Sequence, residues 1–92
     1  MRPDMVSRIG VPAMLELLAE ESAELAKAAL KTARVWRGEN PTPVRIIDAY
    51  QALVEEFTDT VQCAEELRLT ADREQMERKR RRFEERWRGA GR

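Results

Sequence analysis

Two long stretches of this chain repeat their apolar residues with the period of an α-helix, and a short turn-rich segment separates them. That segment is RGENPTP, residues 37–43, where one glycine and two prolines would interrupt a helix. No stretch keeps up the alternation of apolar and polar residues that a half-buried β-strand shows. The sequence therefore predicts an all-α fold without strands.

The first helix is expected to begin near Pro12, because proline suits the first helical turn, and to run through Arg34 to Arg37. Gly38 then ends it. Its many alanines and leucines favour helix. A second helix after so short a break would fold back on the first, which predicts an antiparallel helical hairpin.

The second helix is expected to have Thr42 as its N-cap and Pro43 in its first turn, and to extend from Val44 to about Leu69. A third, strongly charged helix is expected over residues 71–87. Its apolar residues form only a narrow stripe, which consists of Met76, Phe83 and Trp87.

The length of 92 residues indicates one domain, residues 1–92, with a core over about 10–69 and a basic C-terminal helix over about 71–88. A composition of 42% hydrophobic and 37% charged residues is typical of a soluble helical protein. So short a chain buries only somewhat more than about 60% of its unfolded surface, so we expect it to complete a multi-helix bundle by oligomerisation.

The distribution of charge and the content of histidine and cysteine restrict the kinds of site that the chain can form. Residues 1–70 hold 8 Lys/Arg and 12 Asp/Glu, whereas residues 71–92 hold 9 and 5, so an acidic body carries a basic tail. The chain has no histidine, and its one cysteine, Cys63, cannot form an internal disulfide. It shows neither a signal peptide nor an apolar run long enough to cross a bilayer, so we expect a cytoplasmic protein without membrane contact.

Carboxylates interrupt the apolar face of both long helices. In the first helix, Glu21 falls inside the apolar arc, Glu24 falls at its border, and Glu20 points towards the polar side. In the second, Glu56 lies at the edge of the arc and Asp59 follows three residues later. The arcs are Met14, Leu17, Leu18, Leu25, Ala28 and Ala29 in the first helix, and Ile46, Ala49, Leu53, Phe57, Val61 and Ala64 in the second.

A hairpin would bring Glu21, Glu24, Glu56 and Asp59 together. Half-buried carboxylates that repel one another need protonation, pairing with Lys or Arg, or a bound cation. If a cation is present, an oxygen-only ligand set without His or Cys favours Mg²⁺ or Mn²⁺ over zinc.

The acidic motifs resemble the ExxE and ExxD signature of the all-α nucleoside triphosphate pyrophosphohydrolases, the MazG-like superfamily. The resemblance covers AEESAELAKAALKTAR, RGENPTPV and LVEEFTDTVQCAEEL, about residues 10–69, and is strongest to short single-domain members found in bacterial and prophage genomes. The basic stretch MERKRRRFEERW is a less specific match.

The resemblance implies Mg²⁺-dependent hydrolysis of a nucleoside triphosphate to the monophosphate and pyrophosphate by a homodimer or a dimer of dimers. Its metal ligands match Glu21, Glu24, Glu56 and Asp59. Without histidine, a carboxylate must take the proton of the attacking water, and Glu20 and Glu55 are candidates beside the ligands themselves. Further candidates are Lys31 and Arg34 for the phosphates, and Trp36 and Tyr50 for the base, although both aromatic residues equally suit packing.

Two other functions stay open. The same fold could serve as a weakly active or inactive oligomerisation or regulatory module. A nucleic-acid binder that uses residues 78–82 is less favoured, because Glu74, Glu77, Glu84 and Glu85 alternate with the cations and suit ion pairs within the helix.

Overall fold

The computed structural model describes residues 4–39 and 43–90. Over these residues the chain is all-helical and contains no strand, which confirms the predicted class. The described helices are α1 (Met5–Ile9), α2 (Val11–Arg37), α3 (Ile46–Glu66) and α4 (Arg73–Ala90).

The short helix α1 was not predicted. Gly10, at φ 88°, joins it to α2, and its N–H donates to the carbonyl of Val6 at 2.9 Å. Only glycine adopts this backbone conformation readily. The N–H of Met5 donates to Oε1 of Glu66 at 2.9 Å, so the start of α1 is joined to the end of α3. The start of α2 at Val11 agrees with the expectation of a helix beginning near Pro12.

Of the two helix ends at the break between α2 and α3, the end of α2 lies where it was predicted and the start of α3 does not. Gly38 ends α2 in the left-handed region, at φ 73°. The predicted start of the next helix is wrong: α3 begins at Ile46, with Arg45 as its N-cap, and Pro43 precedes the helix. Arg45 is extended, and its Nε donates to Oδ2 of Asp48 at 3.0 Å, which joins the cap to the first turn. The predicted cap, Thr42, lies outside the described residues.

The boundary between α3 and α4 also differs from the prediction. Helix α3 ends at Glu66 rather than Leu69, because Arg68 takes a left-handed conformation at φ 59°. The N–H of Leu69 then donates to the carbonyl of Ala64 at 2.9 Å. Helix α4 begins at residue 73 rather than 71, after Asp72, whose Oδ1 accepts the N–H of residue 75 at 3.1 Å.

Helices α2 and α3 pack against each other around a small core. Its buried residues, among those described, are Met14, Thr32, Ala49 and Cys63, of which Met14 is fully buried. The Thr32 hydroxyl donates to the carbonyl of Ala28 at 2.7 Å and lies 3.4 Å from the carbonyl of Ala49 on α3. The predicted burial of Phe57 is wrong: it is 57% exposed, because it lies on the flank of α3 that α2 does not cover. Ala29 is exposed as well.

Helix α4 stands apart from this pair, and every described side chain on it is exposed. The radius of gyration is 17.4 Å, compared with about 12 Å for a compact chain of this length. The accessible surface is 8136 Å², whereas a compact monomer of this mass exposes about 5,500 Å². None of the described helices is both long and apolar enough to cross a membrane.

Candidate metal centre

Three carboxylates from two helices converge beside the α2–α3 contact. One carboxylate oxygen each from Glu21 on α2 and from Glu56 and Asp59 on α3 lie within 4.8 Å of one another. Glu21 and Glu56 are half-buried and Asp59 is exposed. The helical period explains the convergence, because residues three apart on α3 project from one side towards the same stretch of α2. We call Glu21, Glu56 and Asp59 the carboxylate trio.

Glu24, the fourth acid of the two motifs, lies outside the trio. It is exposed, and its Oε1 lies 3.6 Å from Nζ of Lys27 one turn further along α2. Its charge still raises the pKa of Glu56, more strongly than the charges of Asp59 and Glu21 do. Glu24 therefore borders the trio closely enough to act on Glu56, but it is not part of the group whose oxygens lie within 4.8 Å of one another.

Glu56 is the electrostatic centre of the cluster. Its pKa is raised above the ordinary value, first by partial burial of its carboxyl group and then by the negative charges of Glu24, Asp59, Glu21 and Glu55, in that order. Each of these effects disfavours the ionised form. The folded chain thus holds a carboxylate whose ionisation a nearby cation would favour.

No Lys or Arg among the described residues forms an ion pair with the trio. Within the described residues, protonation or a bound cation would relieve the repulsion among these acids. Two oxygens bound to one Mg²⁺ at about 2.1 Å cannot be more than about 4.2 Å apart. Only opposite ligands of an octahedron reach that separation, and neighbouring ones lie about 3.0 Å apart. The oxygens of the trio lie within 4.8 Å of one another, so side-chain rotations would have to bring them to these distances. Three oxygen donors suit a hard divalent ion, and water would fill the other positions.

Cys63 is buried beneath the cluster. Burial raises the pKa of its thiol, and the charges of Glu21, Asp59 and Glu66 raise it further. The thiol therefore stays protonated at neutral pH, which disfavours a nucleophilic or zinc-binding thiolate. Its place beside the trio agrees with an oxygen-only site.

The two acids predicted as general bases both lie outside the trio and are exposed. Glu55 is close enough to raise the pKa of Glu56, but Glu20 is not among the groups that do so. The predicted phosphate contacts, Lys31 and Arg34, are exposed as well and form no ion pair with another described residue.

The two aromatic candidates form a wall of one groove. The rings of Trp36 and Tyr50 meet edge to face, with centroids 6.3 Å apart and an interplanar angle of 72°. They line an open groove of about 400 Å³ together with Thr32, Arg37 and Leu53. Trp36 is 71% exposed, so packing within the described chain accounts for only part of its surface.

Sequence reasoning missed the pairing of Lys27 with Glu24, although their separation of three residues on one helix was the available signal. It also missed the contact between α1 and Glu66, for which the local sequence offers no comparable signal. A scan against protein-family models and searches of curated proteins and of solved structures found no match to this chain.

Proposed function

We propose that this chain is a Mg²⁺-dependent nucleoside triphosphate pyrophosphohydrolase of the MazG-like type. The observation that carries the proposal is the trio of Glu21, Glu56 and Asp59, whose oxygens converge within 4.8 Å without a Lys or Arg partner among the described residues. Mn²⁺ would suit the same donors. The motif resemblance supplies the reaction, and the clustered acids support it.

We infer that α2 and α3 form an antiparallel hairpin. The Thr32 hydroxyl near the end of α2 lies 3.4 Å from the carbonyl of Ala49 near the start of α3, whereas Glu21, earlier in α2, meets Asp59, later in α3. The large exposed surface supports assembly as a homodimer or a dimer of dimers, which would complete the multi-helix bundle.

In the proposed reaction, water attacks the α-phosphorus, the bond from that phosphorus to the α–β bridging oxygen breaks, and pyrophosphate leaves. A bound divalent cation would neutralise phosphate charge and acidify a bound water. Glu21, Glu56 and Asp59 would hold the cation between the two helices, with Glu24 free to join after release from Lys27. Glu55 is the stronger candidate to accept the proton of the water, because it is the nearer of the two acids to Glu56.

Substrate groups beyond the reacting phosphorus would extend along α2. Lys31 and Arg34 follow Glu24 by about two and three turns and offer exposed cations for phosphate oxygens. The groove beside Trp36 and Tyr50 lies further in the same direction and offers an aromatic wall on which a nucleobase can stack.

The proposal is tested by incubating the protein with a panel of ribonucleoside and deoxynucleoside triphosphates and Mg²⁺ or Mn²⁺, and measuring the monophosphate and pyrophosphate. We expect activity that EDTA abolishes and that Glu56→Gln removes. Glu65→Gln is the matched control, because Glu65 is an exposed acid on the same helix outside the trio. Hydrolysis that persists in Glu56→Gln or in EDTA would exclude this site. No hydrolysis of any nucleotide would favour the regulatory module instead.

A further inference from the structure

Helix α4 carries an apolar stripe that nothing in the described chain covers. The stripe consists of Met76, Phe83 and Trp87, which are 53%, 65% and 71% exposed. Their spacings of seven and four residues place them on one face of the helix. A tryptophan and a phenylalanine exposed on one helical face are typical of a surface that is buried in an assembly.

Helix α3 carries a second exposed stripe on the flank that α2 leaves open. It consists of Ile47, Val54 and Phe57, which are 58%, 58% and 57% exposed, at spacings of seven and three residues. Ile47 and Val54 line an open groove together with Tyr50, Gln51 and Glu55. The α3 stripe and the α4 stripe span about 15 and 16 Å along their helices, so they match in length.

The two helices have opposite charge. Helix α3 holds six acidic residues and no basic residue, whereas α4 holds eight basic and four acidic residues. Around α4, the cations Arg73, Lys79 and Arg80 lie within about 60° of the centre of the stripe, and the four acids lie about 80° or more from it. Glu56 and Asp59 belong to the trio and Asp48 pairs with Arg45, so the remaining acids of α3 supply the negative charge that complements α4. These acids are Glu55, Glu65 and Glu66.

We propose that α4 of one copy packs along the exposed α3 stripe of a second copy, and that the exchange is symmetric. The two stripes would be the contact surfaces of the homo-oligomer inferred above, and they would form whether or not the chain is hydrolytically active. Covering the six stripe residues removes roughly 700 Å² per contact, hence roughly 1,400 Å² for the two contacts, which is within the range of stable interfaces. Per chain, this is roughly a quarter of the surface that is exposed in excess of a compact monomer.

A second copy fits better than the chain's own α3. Arg68, in its left-handed conformation, and the cap at Asp72 set the direction in which α4 leaves α3, and in that direction every described side chain of α4 stays exposed. Nucleic acid or an anionic lipid surface would match the cations of α4 but would leave the α3 stripe uncovered. Only the second copy accounts for both stripes.

The first experiment is sedimentation equilibrium of the full chain without metal or nucleotide. We expect a dimer whose dissociation constant rises by about a hundredfold in Phe83→Ser/Trp87→Ser and by about tenfold in Val54→Ser. Leu30→Ser is the matched control, because Leu30 is 62% exposed and belongs to neither stripe, and it should change nothing. A monomeric wild type, or a dimer indifferent to these substitutions, would overturn the proposal.

The second experiment identifies the contact itself. In a Cys63→Ala background, differently tagged copies that carry Val54→Cys or Phe57→Cys are mixed with copies that carry Phe83→Cys and then oxidised. We expect a disulfide between differently tagged copies for at least one pair, and none when Leu30→Cys replaces Phe83→Cys. A chain that carries both cysteines tests the alternative. If the disulfide forms only within that chain and not between copies, α4 folds onto its own α3 and the proposal is overturned.

Binding assays cover the other partners. Vesicles of phosphatidylcholine with phosphatidylglycerol, and duplex DNA, are each titrated into the wild type and into Phe83→Ser/Trp87→Ser. Tight binding by a wild type that stays monomeric would assign α4 to that surface and refute the exchange. Because these experiments need neither metal nor nucleotide, their failure is distinct from a failure of the proposed hydrolysis.

Discussion

The α2–α3 pair and α4 have similarly amphipathic sequences but different surroundings. In the pair, Met14 is fully buried, and packing brings Glu21 against two acids of α3. In α4, each described side chain is exposed, and its ion pairs stay within the helix, such as Arg80 with Glu84 at 3.5 Å. Packing thus gives the acids of the pair a defined geometry, while nothing in a single copy does so for the cations of α4.

The acids of the trio and the cations of α4 therefore differ in how closely packing holds them. The trio consists of acids that folding brings together, and the charges of its neighbours raise the pKa of Glu56. The cations of α4 are spread along an exposed rod, where their charge by itself identifies no ligand and only the adjoining apolar stripe narrows the choice. Substitutions in the pair should therefore differ in their effects from matched substitutions outside it.

The largest expected effect is on catalysis. If the proposed function holds, Glu21→Gln should lower kcat/KM for the preferred nucleoside triphosphate by about a hundredfold or more, because it removes one of the proposed metal ligands. Glu16→Gln, an exposed acid of the same helix outside the trio, should retain wild-type rates. Equal losses in both variants would mean that packing does not distinguish the trio from surface acids.

Glu55→Gln tests the proposed proton acceptor separately from the proposed metal ligands. We expect kcat to fall by about a hundredfold while the affinity for Mn²⁺ stays unchanged, since Glu55 lies outside the trio. Steady-state kinetics and a Mn²⁺ titration on the same sample check both parts. An unchanged kcat would rule out Glu55 as the base.

Stability should show the same division between the pair and α4. Met14→Ala should lower the free energy of unfolding by about 2 to 5 kcal/mol, because it leaves a cavity in the small core. Met76→Ala on α4 should barely change unfolding of the dissociated chain, since Met76 is 53% exposed there. Urea denaturation at a concentration that favours the single chain measures both. Similar losses in the two variants would show that α4 packs within the chain.

The smallest effect concerns Glu56 and pH. Because its folded pKa is raised, the folded chain binds more protons than the unfolded chain between the ordinary pKa near 4.5 and the raised value. Without metal, stability should therefore fall as pH rises through this window. Glu56→Gln should weaken that dependence and raise Tm slightly at neutral pH, whereas Glu65→Gln should not. A lower Tm in Glu56→Gln would contradict the repulsion.

The sequence predicted the helical class and the end of α2, because period and terminal glycines are local signals. It misplaced the start of α3, where Arg45 and Asp48 rather than Thr42 and Pro43 mark the first turn. Such a competition between neighbouring caps is decided by a few hydrogen bonds, which residue preferences alone do not resolve.

The candidate site was predictable in part for a similar reason. Helical spacing placed Glu21, Glu56 and Asp59 on facing edges, and these three do converge. The spacing of Glu24 and Lys27 allowed their ion pair but did not require it, because the pairing depends on side-chain rotation at an exposed position. Nor could helical spacing show that Phe57 is exposed, since an apolar arc does not reveal how much of its width a single partner helix covers.

The central claim is that the trio forms a divalent-cation site, and Mn²⁺ binding followed by electron paramagnetic resonance tests it most directly. The wild type and Glu65→Gln should bind Mn²⁺, Mg²⁺ should compete for the site, and Glu56→Gln should lose it. Wild-type protein that leaves all Mn²⁺ free, or a Glu56→Gln variant that binds as tightly as the wild type, would contradict the claim.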